Sequence, residues 1–218
     1  MRPTPTYRCR RTPAPLDPNA DLDRAPWSTA SWIFDFRLLG TDDPLPPERF
    51  LEACLLWDEE HLYAAYRSAP SLVPVTRAHR DEDLWTECAV ELFLAAGAGY
   101  YEFEVNPRGA LLDLHFPHED DEDWLACRAW DAAGIRWTAR QAESPAGGTP
   151  GWQAELALPW AAVPALSRQR GPEGEVLAVQ ICRSGYRPDG TGELPAWGPA
   201  QQRFCERAGM GSVLLARG

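Results

Sequence analysis

No stretch of the 218 residues approaches the roughly 18 consecutive apolar positions of a membrane-crossing helix, so a helical membrane span is not expected. Positive charge is also short. Lys and Arg total 21 against 32 Asp and Glu, a formal net charge of −11. A phosphate-binding surface has to be basic, which argues against nucleic acid or an anionic membrane as the partner. The six cysteines contain no C-x-x-C pair, the spacing that zinc ribbons and thioredoxin-like sites need. Free, mostly buried thiols are the expectation, since disulfides need an oxidising compartment. The opening "MRPTPTYRCRRTPAP" has no apolar stretch that could act as a signal peptide. The expected location is therefore the cytoplasm, with secretion only if a leader has been removed.

Catalytic signatures are missing too. None of the four histidines falls in an H-E-x-x-H arrangement, there is no G-x-S-x-G elbow, and no Gly-rich phosphate loop occurs. His115 and His118 stand beside the acidic run Glu119 to Asp123. Calcium is the hard cation that such oxygen ligands could take, but a solvated acidic loop is the simpler reading. No cofactor and no metal ligand is assigned, with structural calcium left open.

What the chain has is alternation at short spacing. "LLWDEEHLYAAYRS" reads as a strand ending at Trp57, an acidic turn, and a second strand from Leu62. In "CAVELFL", Cys88, Val90, Leu92 and Leu94 share one face, with Ala89, Glu91 and Phe93 on the other. "YYEFEVNPRGALLDLHF" is the clearest hairpin, turning at Asn-Pro-Arg-Gly. Further strands are expected in "IRWTAR", "GWQAELALP", "EVLAVQICR" and "GSVLLA", and a short helix in "LPWAAVPAL". Loops are expected at "GTDDPLPPE", "PHEDDED" and "ESPAGGTPG". The pattern predicts an all-β fold, an antiparallel β-sandwich of the immunoglobulin or jelly-roll kind, forming one domain over 1–218. An irregular, Pro-rich arm runs to about Pro26.

Ten tryptophans exceed what a core of this size requires. Trp137 and Trp152 sit within strand patterns, and Trp27, Trp57 and Trp160 at element ends. Trp85 and Trp197 lie in loops, where a large aromatic is either a plug or a stacking surface. A pyranose ring shows C–H patches on its faces and hydroxyls on its rim, so a sugar site joins flat aromatics to two-sided polar groups. Glu91 follows Trp85 by six residues, and the spacing puts Glu102, Glu104, Asn106, Asp113 and His115 on one polar sheet face with it. The plainer alternative is that this face meets solvent.

In order along the chain, "LDPNADLDRAPWSTASWIFDF", "LLWDEEHLYAAYRS", "RDEDLWTECAVELFL", "YYEFEVNPRGALLDLHF", "GWQAELALPWAAV", "VQICRSGY", "PAWGP" and "GMGSVLLA" resemble the family 9 carbohydrate-binding modules and their stand-alone relatives. The resemblance runs from about residue 7 to the C-terminus. It implies a β-sandwich that clamps a mono- or oligosaccharide, often at a reducing end, between two tryptophans, without catalysis. Trp85 and Trp197 match the sandwich pair, Glu91 the rim carboxylate, and Asn106 and Arg183 family-typical polar positions. Departures are Gln180 where Asn is usual, Phe204-Cys205, and Met210-Gly211. Other functions stay open: a haem-binding electron-transfer domain using Met210, His115 or His61, a glycosidase using Glu91 or Glu102 with a second acid, or a sandwich that has lost its sugar and serves protein contacts. Oligomeric state is not fixed, a monomer being the working expectation.

Overall fold

A computed structural model describes residues 2–41, 43–142, 150–166 and 174–216. The strands are β1 (Thr6–Arg11), β2 (Arg37–Leu38), β3 (Leu51–Trp57), β4 (His61–Ser68), β5 (Cys88–Ala96), β6 (Gly99–Val105), β7 (Leu111–Phe116), β8 (Arg136–Ala142), β9 (Gly151–Pro159), β10 (Val176–Gly185), β11 (Pro195–Ala196) and β12 (Gly211–Ala216). One α-helix, α1 (Trp124–Arg128), accompanies them. Among the described residues no helix is long and apolar enough to cross a membrane. The expected loop at "ESPAGGTPG" lies largely outside the described residues, with β9 starting at its last glycine.

The fold is all-β, as the alternation predicts, but the sheet is mixed rather than wholly antiparallel. Ten strands follow one hydrogen-bonded path, β7-β6-β5-β10-β12-β1-β3-β4-β9-β8. Strand β1 runs parallel to both of its neighbours, β12 and β3. A parallel pair needs a long crossover, and the chain between Arg11 and Leu51 supplies one. Nothing in the local pattern of "TYRCR" betrays a partner that lies at the other end of the chain. The sheet curls until its ends meet: Trp137 Nε1 on β8 donates to the Gly109 carbonyl in the β6–β7 turn at 3.0 Å.

One large core fills the curl. Cys88, Val90, Leu92 and Leu94 of β5 enter it together with Leu55, Leu62, Leu156 and Trp57. The opposite face of β5 is also covered, with Ala89 and Phe93 joining Tyr100, Leu112 and Leu114 in a second cluster. A third cluster forms where the N-terminal arm lays Leu16, Leu22 and Trp27 over Cys54, Tyr63 and Ala157. Glu155, wholly buried on β9, clasps the arm by accepting hydrogen bonds from the Asn19 and Ala20 N–H groups, Arg24 and the Trp27 indole. All six cysteines are free and buried, and burial pushes the Cys54 thiol up to about 12.

The helix falls elsewhere than expected. Pro159 is extended and still part of β9, and only a single 3-10 turn, Trp160–Ala162, follows it. Trp160 anchors that turn by donating its indole N–H to the Asp58 carbonyl at 2.9 Å. The real helix begins inside the acidic run, where the Asp123 carboxylate accepts from the Ala126 N–H at 3.0 Å and caps it.

The β3–β4 turn depends on Asp58, whose carboxylate accepts from the Glu60 and His61 N–H groups and from the Tyr63 hydroxyl at 2.6–2.8 Å. Burial alone would raise its pKa; these hydrogen bonds outweigh it and hold the carboxyl below the usual carboxylate range. A depressed folded-state pKa stabilises above the unfolded value and is lost as pH falls through the folded one. Asp58→Asn should therefore cost about 1–3 kcal/mol at neutral pH and flatten the acid limb of the stability profile, as read by urea unfolding.

Candidate functional site

A cavity of about 430 Å³ opens over the second face of β5 and β6, lined by Trp85, Trp124, Glu91, Glu102, Phe93, Tyr100, Ser184, Tyr186 and the 202–205 loop. Trp85 is there because of its neighbour. In the 3-10 turn Leu84–Thr86, Leu84 points inward and is fully buried, so the next side chain turns out and stays 40% exposed. Trp124 opens α1 and is 45% exposed. An ion pair between Asp83 and Arg128 ties the Trp85 turn to this helix. Beneath them runs a chain of rings. Phe204 meets Phe93, Phe93 meets Tyr100, Tyr100 stacks on Phe116 at 4.6 Å, and Phe116 meets Trp124 edge-on at 5.2 Å.

Three carboxylates lie below the aromatic surface. Glu91 on β5 pairs in register with Glu104 on β6, and Glu102 is two residues earlier on the same face. An oxygen from each lies within 4.8 Å of the others. Glu91 accepts from the Ser184 hydroxyl and from the Cys182 thiol. Glu104 is wholly buried, and neither of its carboxylate oxygens has a hydrogen-bond partner. Burial is the main force on all three. It lifts Glu91 to about 7. Burial and the Glu91 charge lift Glu102 to about 8. Burial and both neighbouring charges push Glu104 well above the usual range, and the nearby Trp85 N–H offsets only part of this.

Of the five residues picked out in the sequence, the structure brings Trp85 and Glu91 to the cavity and places three elsewhere. Trp197 is 4% exposed and belongs to the main core. Its six-membered ring lies so close to Gly211 that a Cβ there would come within 2.4 Å of it. The missing side chain at Gly211 is the slot the indole fills, so Trp197 offers no open face for a ligand. Gln180 holds the same corner, accepting from the Gly198 N–H at 2.7 Å and donating to the Gly209 carbonyl. Asn106 is spent on the hairpin turn. Its Oδ1 accepts from the Arg108 and Ala110 N–H groups, and its amide donates to the Arg77 carbonyl. Arg183 is fully buried and pairs with Glu193 at 2.5 Å, which Arg49 also contacts.

The polar face is also redrawn. Five residues, 106–110, separate β6 from β7, and the register pairs Glu102 with Leu114 and Glu104 with Leu112. Asp113 and His115 therefore project to the opposite face, where His115 stacks on Tyr101 at 4.3 Å. Nor does the glutamate face meet solvent. Trp124, Tyr186 and Phe204, which also line the cavity, were not among the candidate site residues, Phe204 having entered only as a departure from the family pattern. The signal available for Trp124 was an aspartate cap immediately before an aromatic.

No family model and no curated protein matches the chain by sequence. Solved structures do resemble it. A candidate carbohydrate-binding protein from Bacteroides uniformis superposes with a TM-score of 0.71 at 13% identity, over 97% of this chain and 99% of that one. A family 9 carbohydrate-binding module from Caldicellulosiruptor kristjanssonii, solved with cellotriose, gives 0.62 at 12% identity over 98% of this chain and 94% of that one. The same organism's module solved with glucose gives 0.62 at 12%, over 98% and 96%. The chain shares their fold.

Two outcomes follow from the geometry. Trp197→Ala empties a core slot and should cost about 3–5 kcal/mol in urea unfolding, whereas Trp85→Ala should leave the midpoint nearly unchanged. Because the glutamate pKa values are raised on folding, the folded state holds more protons than the unfolded chain above the ordinary glutamate value of about 4.3. In chelator-containing buffer, melting temperature should fall as pH climbs from there through about 8. Glu104→Gln should raise it at the alkaline end and flatten the slope.

Proposed function

We propose that the chain binds a mono- or oligosaccharide without catalysis, in the cavity flanked by Trp85 and Trp124. The observation that carries this reading is the pairing of two exposed indoles with a floor of rings, carboxyls and a hydroxyl in one cavity. Flat rings suit the C–H faces of a sugar; Glu91, Glu102, Gln202 and Arg203 suit its rim. The structural neighbours include modules solved with cellotriose and glucose, and that supports the substrate class. Trp124 takes the place that the resemblance gave to Trp197.

A glycosidase needs its two acids on either side of the scissile bond. Glu91 and Glu102 instead rise from adjacent strands on one sheet face, which favours binding over hydrolysis. The haem alternative fares no better: Met210 lies in the second cluster, His61 stacks on Tyr63, and His115 stacks on Tyr101.

The test is a panel of monosaccharides and short oligosaccharides, glucose and cello-oligosaccharides included, followed by intrinsic tryptophan fluorescence. Binding is expected in the micromolar to millimolar range, about −8 to −4 kcal/mol, because polar groups must be desolvated on both sides. Trp85→Ala and Trp124→Ala should each weaken it by about tenfold or more, equivalent to ~1.4 kcal/mol. Absence of binding across the panel, or full affinity in both variants, would reject the site.

A further inference from the structure

A buried charge must be met by an opposite charge, by hydrogen bonds or by a proton. Elsewhere in this fold the chain supplies the partner. The cluster Asp81, Asp113 and Asp131 surrounds the Arg80 guanidinium, which lies 2.7 Å from both Asp113 and Asp131. Buried Glu193 is met by Arg49 and Arg183. Among the described residues no arginine or histidine acts on Glu91, Glu102 or Glu104; the groups that do are one another, the Ser184 hydroxyl and N–H, the Cys182 thiol and the Trp85 N–H. Ser184 and Cys182 both serve Glu91, which leaves enclosed Glu104 with two unpartnered oxygens facing two more carboxylates.

We propose that Glu91, Glu102 and Glu104 form a binding site for one divalent cation of the calcium class, set under the floor of the cavity. The donors are carboxylate oxygens, the preference of a hard cation. No imidazole is present, and Cys182, the thiol bonded to the trio, is engaged as a donor to Glu91. Calcium takes six to eight oxygens in adaptable geometry, whereas magnesium demands a near-ideal octahedron and keeps most of its water. Three crowded carboxylates resemble the first requirement more than the second. Water can complete the shell from the cavity, because Glu91 and Glu102 also line it. A divalent ion would reduce the three gathered carboxylate charges to a single net negative charge. The cation site does not depend on sugar binding.

The full chain, stripped with chelator, should bind calcium in a calorimetric titration. It should also bind terbium with luminescence sensitised by tryptophan excitation, since Trp85 lines the same cavity as Glu91 and Glu102. Calcium should compete the terbium signal away. Glu104→Gln and Glu102→Gln should each weaken calcium by about tenfold or more, while Asp131→Asn, in the arginine-filled cluster, should bind as the parent does. Circular dichroism and the thermal midpoint verify folding of each variant. No calcium heat and no terbium signal in the parent chain overturns the proposal, as does parental affinity in both glutamine variants. The glycan panel is repeated with chelator and with calcium. Saccharide binding with no cation bound defeats this inference alone; cation binding with no saccharide bound defeats only the sugar reading.

Discussion

Alternate side chains of β5 lead in two directions, Val90 and Leu92 into the main core and Glu91 and Phe93 under the cavity. Because neither direction is open water, every residue on the strand has to be matched by cover on its own side. On the cavity side that cover is improvised from a 3-10 turn, a five-residue helix and the 202–205 loop. The glutamates are buried only because these pieces lie over them. The indoles stand at the rim only because the same pieces carry them there. Cover and carboxylates are thus one arrangement: without the lid the carboxyl groups would be ordinary solvated side chains on a sheet.

The remainder of the fold treats buried charge conventionally. Glu155 collects two backbone N–H groups, a guanidinium and an indole, and so fastens the N-terminal arm. Glu193 sits between two arginines at the junction of the β10–β11 hairpin with Phe50 and Ser68. Neither depends on anything outside the chain. The trio is unlike them in kind, with like charges gathered and no counterpart provided.

Period-two patterns made β3 to β7 legible in advance, together with the two faces of β5, because side-chain direction along a strand follows from the backbone itself. Register was not legible. One more residue in the β6–β7 turn than a four-residue loop would hold is enough to send Asp113 and His115 to the other side. The parallel seating of β1 was hidden for a similar reason, since its partners come from distant segments. Most instructive are the two loop tryptophans. Trp85 turns out because Leu84 has taken the inside, and Trp197 turns in because Gly211, fourteen residues later, leaves room for it. The first cause is the adjacent residue, but the second lies outside the local sequence of Trp197, so inspection of that loop alone does not show which way its ring turns. The solved structures share this fold at only 12–13% identity.

The thiols give the molecule an unplanned use. Cys9 and Cys88 lie in the main core, Cys54 under the arm, and Cys127, Cys182 and Cys205 in the cluster beside the cavity. None is bonded to another, and each is shielded from water. A thiol reagent can therefore reach a given sulfur only when its own layer parts, so the order in which the six become labelled records which layer of the protein breathes first.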